Sequence, residues 1–147
     1  MRIHSREFEV KDALDIGEPV RGWLEVTEDQ LAFMGSFTAF TILDEDKPLV
    51  CLGQLPLWPG VSDIWAVVSP DLRHCAGRRQ VYQHIQDLML WGVTALDINR
   101  YQCEIVAGWD DGVKFAHLLG MKSEGLMEAY GRNGEDMIRY VWLAKDH

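Results

Sequence analysis

One stretch constrains the fold more than any other, Asp63 to Trp91, DIWAVVSPDLRHCAGRRQVYQHIQDLMLW. Its first seven residues, DIWAVVS, are almost continuously apolar, as expected of a strand covered on both faces. Pro70 and Gly77 then tighten the chain into a loop. From Arg78 onward, Val81, Ile85, Leu88 and Leu96 recur at three- and four-residue steps, with Gly92 within the series, which predicts a long helix. Gly92 costs about 1 kcal/mol relative to Ala inside a helix, so a kink or stop is expected there. A strand, a loop and a helix in succession present backbone N–H groups to a phosphate.

The residues before this stretch predict strands and short helices. Met1 to Val10 alternates loosely and reads as a first strand, and Lys11 to Ile16 as a helical turn ended by Gly17. Pro19 to Glu25 fits no single pattern. Thr27 and Gln30 have the spacing of a capping box, opening a helix that carries Leu31, Phe33 and Met34 and stops at Gly35. Phe37 to Leu43 and Pro48 to Leu55 read as strands joined by the polar turn Asp44 to Lys47, with Pro56, Pro59 and Gly60 ending the second.

Beyond the long helix, Gln102 to Ala107 reads as a strand. Asp110 or Asp111 is expected to cap a helix carrying Val113, Phe115, Ala116 and Leu119 and closed by Gly120. Ser123 to Tyr130 and Met137 to Leu143 form a terminal hairpin with Asn133-Gly134 at its turn. This order predicts an α/β fold: one domain, residues 1–147, with a mixed sheet of six to seven strands and helices on both faces. A parallel strand pair joined by the long helix is expected to cross right-handed.

Composition narrows the function classes. The net charge of −9 argues against a general nucleic-acid surface, because phosphate contacts need Lys and Arg, although Arg73, Arg78 and Arg79 make a local basic site. Cys51, Cys75 and Cys103 are too far apart for a CxxC metal pattern and odd in number, so they read as reduced thiols of a cytoplasmic protein. No apolar run reaches the roughly 18 residues of a membrane span, and the N-terminus has no basic-then-apolar leader. Trp58, Trp65, Trp91 and Trp109 read as core or interface residues rather than a base-stacking platform.

With these residues in place, the chain resembles the GCN5-related N-acetyltransferase (GNAT) superfamily over roughly its whole length. Members carry a strand, an Arg/Gln-x-x-Gly-x-Gly/Ala loop and a helix. Pro70 to Arg78 occupies that place, with Arg73 at the leading position, Ala76 where the first Gly stands and Arg78 where the final Gly or Ala stands. Phe115 to Gly125 is similar to the family's helix ending in Leu-Gly-Phe followed by a strand, with Met121 in place of Phe. The closing segment Tyr130 to Asp136 also fits. Within the superfamily the chain looks most like the small GNAT-like proteins of tailed bacteriophages, some of which are virion or morphogenesis components.

The resemblance implies acetyl-CoA as cofactor. Its pyrophosphate would lie on the backbone of Arg73, His74, Cys75, Ala76, Gly77 and Arg78. Gly serves in such loops because the cofactor approaches the backbone closely. Ala76 still permits that approach, whereas Arg78 either contacts phosphate or blocks it. The pantetheine arm would pair with backbone groups of Val67 and Ser69, facing the Gln102 to Ala107 strand. Without a cofactor, the same features make a plain central strand and a loop of solvated arginines.

Acetyl transfer needs an amine relieved of its extra proton and a proton donor for the departing thiolate. The family's usual Tyr, four residues before the Gly of Leu-Gly-Phe, is Ala116 here, with His117 beside it. Asp63 and Glu104, at expected strand ends, are candidate bases, and each also reads as a solvated strand-edge charge. His74 and Cys75 adjoin in the loop, but a Cys–His pair is made by geometry in space, not by adjacency in sequence. Two functions follow from the resemblance. One is an acyl-CoA-dependent N-acetyltransferase acting on a small-molecule or protein amine in the bacterial cytoplasm. The other is a catalytically inactive binding or assembly component that self-associates or joins phage structural proteins in a virion.

Overall fold

The computed structural model describes residues 2–16 and 27–147. Seven strands and four helices follow in the order β1 (Ile3–Glu7), α1 (Val10–Ile16), α2 (Glu28–Gly35), β2 (Ala39–Asp44), β3 (Lys47–Trp58), β4 (Val61–Val68), α3 (Arg78–Ala95), β5 (Arg100–Val106), α4 (Asp110–Leu118), β6 (Lys122–Met127) and β7 (Met137–Leu143). The strands form one mixed sheet in the order β1-β2-β3-β4-β5-β7-β6. β4 and β5 pair in parallel with α3 connecting them, whereas β1 with β2, β2 with β3, β5 with β7 and β6 with β7 pair antiparallel. This is the α/β class and element order that the sequence predicts.

Local signals explain most element boundaries. Thr27 Oγ1 accepts from the Gln30 N–H at 3.2 Å, and Gln30 Oε1 accepts from the Thr27 N–H at 2.9 Å, so the expected capping box forms. At the end of α4, the Gly120 N–H donates to the His117 carbonyl and the Met121 N–H to the Ala116 carbonyl. This is a Schellman turn, and Gly120 supplies its left-handed residue at φ +84. Met121 and Ala116, the two positions that such a turn usually brings into apolar contact, are both buried.

Five expectations change. Val10 opens α1 and is not part of the first strand. β3 runs through Pro56 to Trp58, since an extended chain accepts proline's φ and loses only one N–H, and the turn falls at Pro59-Gly60. α3 continues past Gly92 to Ala95. Neither Asp110 nor Asp111 caps α4: the cap is Trp109, which makes no side-chain capping bond, and both aspartates lie in the first turn. There their charges still favour the helix N-terminus. Asn133-Gly134 lies within the connection of residues 128–136, longer than a two-residue hairpin turn, and β6 and β7 pair antiparallel across it. The readings of Met1, Gly17 and Pro19 to Glu25 fall outside the described residues.

The described residues group into two compact units, Met1–Leu55 with Ile64–Asp87, and Pro56–Asp63 with Leu88–His147. The first unit has a core of Phe8, Ala13, Leu31, Ala39, Cys51, Trp65 and Val67, with Phe8 edge-on to Trp65 at 5.3 Å between ring centroids. Asp12 is wholly buried there, its carboxylate gripped by Nη1 and Nη2 of the Arg6 guanidinium at 2.8 Å each, by the Thr41 hydroxyl at 2.6 Å and by the Glu9 N–H at 3.0 Å. The second unit packs Tyr101, Tyr140 and Trp142 on one face of β5 and β7, with Tyr101 edge-on to Trp142 at 5.5 Å and its hydroxyl donating to the Met89 carbonyl at 3.0 Å. Among the described residues no helix is long and apolar enough to cross a membrane.

Candidate functional site

In the first unit, β4 ends in a 3₁₀ turn, Pro70–His74, and the chain then enters α3 at Arg78. Ser69 builds that turn. Its N–H donates to the Leu49 carbonyl at 2.8 Å, its carbonyl accepts from the Leu72 N–H at 3.1 Å, and its hydroxyl oxygen accepts from the Asp71 N–H at 3.2 Å. Ser69 is therefore committed to shaping the loop, so its N–H is not available to a pantetheine carbonyl. Val67 is buried two residues earlier on the same strand. Lys47 pairs with Asp71 at 2.6 Å and ties the turn to the start of β3.

The loop residues Arg73, His74 and Ala76 are exposed, Cys75 is half-buried and Gly77 is buried. The Cys75 N–H donates back to the Leu72 carbonyl, the Arg78 N–H to the Cys75 carbonyl and the Val81 N–H to the Gly77 carbonyl. The N–H groups of Ala76, Gly77, Arg79 and Gln80 have no partner among the described residues. Two of these belong to the first turn of α3, where a helix leaves its N–H groups unsatisfied and carries partial positive charge. The Arg78 guanidinium bends back, and its Nη1 donates to the Arg73 carbonyl at 3.1 Å. That bond takes a carbonyl oxygen, which a phosphate would avoid, and it leaves the other guanidinium donors of Arg78 uncommitted to that carbonyl.

The second unit holds Asp63, Glu104 and His117. Asp63 is the third residue of β4 and Glu104 the fifth of β5, so both lie within strands and not at strand ends. Asp63 pairs in register with Gln102 in the parallel ladder, and Glu104 pairs with Arg139 across β5 and β7. Paired residues share a sheet face, and residues two apart on a strand do too, so Asp63, Gln102, Glu104 and Arg139 line one face. The opposite face carries Tyr101, Tyr140 and Trp142.

The polar face is an ordered network. Arg100 forms a two-bond pair with Glu124, at 2.8 and 2.5 Å, and its Nε donates to Gln102 Oε1 at 2.9 Å. With that oxygen occupied, the Gln102 amide N–H₂ is the group that hydrogen-bonds the Asp63 carboxyl. Arg139 Nη2 donates to Glu104 Oε1 at 2.6 Å. Two buried polar atoms on this face, Asp63 Oδ1 and Arg139 Nε, have no hydrogen-bond partner. Burial pushes the Asp63 carboxyl above its ordinary pKa and the nearby Glu104 carboxylate adds to the shift, while Gln102 and Arg139 pull it back. A carboxylate raised in this way is a stronger base than a solvated one, which suits it to take a proton from an ammonium.

His117 is exposed on α4, with its ring edge-on to buried Tyr140 at 5.6 Å. Ala116, beside it on the same helix, is buried. The structure thus brings Asp63 and Glu104 into one electrostatic cluster on β4 and β5 and carries His117 on a different element. Sequence reasoning missed Arg139, Gln102 and Arg100 as members of this cluster. The signal for Arg139 lay in its alternation within MIRYVWL, where a lone cation interrupts an apolar strand.

No protein-family model matches the chain, and no curated protein matches it. Solved structures do match. A spermidine N-acetyltransferase chimera of Vibrio cholerae SpeG and hSSAT aligns over 99% of this chain and 98% of its own, at 14% identity and a TM-score of 0.71. A GNAT-family acetyltransferase from Bacillus anthracis aligns over 99% and 96%, at 16% identity and a TM-score of 0.69. RimL, a ribosomal L7/L12 α-N-protein acetyltransferase solved in complex with coenzyme A, aligns over 96% and 93%, at 14% identity and a TM-score of 0.72. At these identities the likeness shows the fold, which is that of GNAT acetyltransferases.

Proposed function

We propose that the chain is an acyl-CoA-dependent N-acetyltransferase that moves an acetyl group from acetyl-CoA to an amine. The observation that carries this reading is the loop of residues 69–80, a 3₁₀ turn and helix N-terminus with unpartnered N–H groups, set in a chain with the GNAT fold. A cluster of backbone donors at a helix N-terminus suits a pyrophosphate. One matching enzyme was solved with coenzyme A, which makes that ligand the first to test.

In this reading Ala76, Gly77, Arg79 and Gln80 offer N–H groups to the pyrophosphate, and the exposed Arg73 adds charge. Arg78 braces the loop through the Arg73 carbonyl rather than filling it. Val67 offers backbone to the pantetheine arm, and Ser69 fixes the turn. Asp63 takes the proton from the acceptor ammonium, because its raised pKa makes it the better base, while Glu104 is engaged with Arg139. The bound acetyl-CoA supplies the thioester carbonyl and the thiolate leaving group. With Ala116 lacking a proton to give, His117 is assigned as donor to that thiolate.

Binding is the first test. A ligand present at 100 times its dissociation constant stabilises the folded state by about 2.7 kcal/mol, which thermal unfolding reads directly. Acetyl-CoA and CoA are expected to raise the melting temperature, and Arg73→Ala to reduce that rise. No shift at millimolar CoA overturns the assignment. The virion-component alternative has no observation of its own among the described residues.

A further inference from the structure

Asn133-Gly134 makes neither the two-residue hairpin turn that its type favours nor any part of the proposed acetyl transfer. Both residues are exposed in the connection between β6 and β7. The Gly134 N–H closes a turn on the Gly131 carbonyl at 2.9 Å. The Asn133 N–H reaches Glu135 Oε1 at 3.4 Å, longer than a well-made bond. Nothing stands within 4 Å of the place that a side chain at Gly134 would take. An exposed turn whose closing N–H makes one such bond opens locally at small cost.

We infer that Asn133 is a self-modification site, where the Gly134 nitrogen displaces ammonia from the Asn133 side chain and water then leaves a carboxylate in its place. The inference is independent of the acetyltransferase reading. In the open turn the Gly134 nitrogen loses its proton to solvent hydroxide and attacks Cγ of Asn133. A C–N bond forms there, the bond from Cγ to Nδ2 breaks, and ammonia leaves with a proton from water. The result is a five-membered succinimide. Water opens it at one carbonyl to give aspartate, or at the other to give isoaspartate, whose main chain is one methylene longer. No oxidant or reductant takes part. Glycine favours the step because no Cβ hinders the approach.

The fold confines this chemistry to one place. The chain's other asparagine, Asn99, is also exposed, but it is fixed on both sides. Its N–H and that of Arg100 donate to the Gly60 carbonyl at 2.8 and 3.1 Å, and its own carbonyl accepts from the Ala144 N–H at 2.9 Å. The nitrogen that would attack belongs to Arg100, the first residue of β5, which pairs with Val61 and Leu143. Asp111-Gly112 could close the same ring with loss of water, yet Gly112 is buried in α4, where a side chain would meet the Trp109 ring. At Asn133 the product adds one negative charge, beside Glu135 and Asp136, to a chain of net charge −9. The extra methylene of isoaspartate carries the Gly134 N–H away from the Gly131 carbonyl. β6 lies at the sheet edge with β7 as its neighbour, so loosening their connection loosens β6.

The test is incubation of the full chain at mildly alkaline pH and body temperature, beside the same chain unfolded in guanidinium chloride, with peptide mapping by mass spectrometry at intervals. Conversion is read as the mass gained when an amide becomes an acid, and aspartate and isoaspartate as two separable isomers. Asn133 in the folded chain is expected to convert at no less than about one tenth of its unfolded rate, and at least about tenfold faster than folded Asn99. Asn133→Gln is expected to stop the reaction, because the longer side chain needs a six-membered ring. Protection of folded Asn133 beyond tenfold, or conversion of Asn99 at a matching rate, overturns the inference. Hydrogen exchange then compares aged with fresh protein. Amides of residues 122–136 are expected to exchange faster after conversion while those of α3 do not change, and identical exchange in both samples overturns the coupling to β6.

Discussion

Two aspartates show how burial sends the same side chain in opposite directions. Burial alone would raise the Asp12 pKa, but the bonds from Arg6, Thr41 and the Glu9 N–H outweigh it and hold the carboxyl below its ordinary range. The folded state therefore binds that proton less tightly than the unfolded chain. The resulting stability is present above the ordinary value of 3.8 and is lost as pH falls through the lower folded value. Asp12→Ala should cost about 3 kcal/mol in urea unfolding at neutral pH, the low end for a broken buried pair, because half-exposed Arg6 can regain water. Asp63 is the reverse case. Its folded pKa is raised, so its contribution to stability is present below 3.8 and lost as pH rises through the folded value. Asp63→Asn should leave the melting temperature at pH 7 unchanged or higher while lowering the acetylation rate by about 100-fold or more. In the unaltered protein, the rate should climb with pH through a midpoint above the usual carboxylate range. Asp63 was legible in the sequence as a charge bordering an apolar strand. Its environment was not, because Gln102, Glu104 and Arg139 reach it only through strand pairings between β4, β5 and β7.

At the scale of elements, α3 is the helix the sequence marks most clearly, and Gly92 is where its pattern misleads. Propensity makes Gly92 a liability, yet the helix continues through it, and the position leaves no room for a side chain, which would meet the Tyr101 hydroxyl. Tyr101 is held in that position by its bond to the Met89 carbonyl. Gly92→Ala should therefore destabilise the protein by about 1–3 kcal/mol, although alanine is the better helix former. Tyr101→Phe, which removes the obstructing oxygen, should recover part of that loss in the double variant, and chemical denaturation of the four proteins measures the coupling. The loop before α3 was legible in outline from Pro70 and Gly77. Its wiring was not, since the anchor of Ser69 is Leu49, twenty residues away on β3. The cap of α4 was misread because aspartate is a favoured cap by type, whereas the chain enters that helix one residue earlier, at Trp109.

For the molecule as a whole, the order of strands and helices follows directly from the alternation of apolar runs and breakers, which is why the fold class was legible. The grouping into two compact units was not, because β4 and α3 each contribute residues to both. The net charge of −9 sets an expectation at this scale: kcat/KM for a cationic acceptor should fall as salt is raised from about 0.01 to 0.5 M, whereas a neutral ligand of the same size should show no such trend in binding. The placement of the three thiols has a practical consequence. Burial pushes Cys51 and Cys103 up to about 12, so neither offers appreciable thiolate at neutral pH, whereas Cys75 stands half-exposed in the turn before α3. The chain therefore carries a built-in labelling handle: a maleimide fluorophore should attach at Cys75 in the native protein without mutagenesis, and its rate of attachment should slow when CoA occupies the loop beside it.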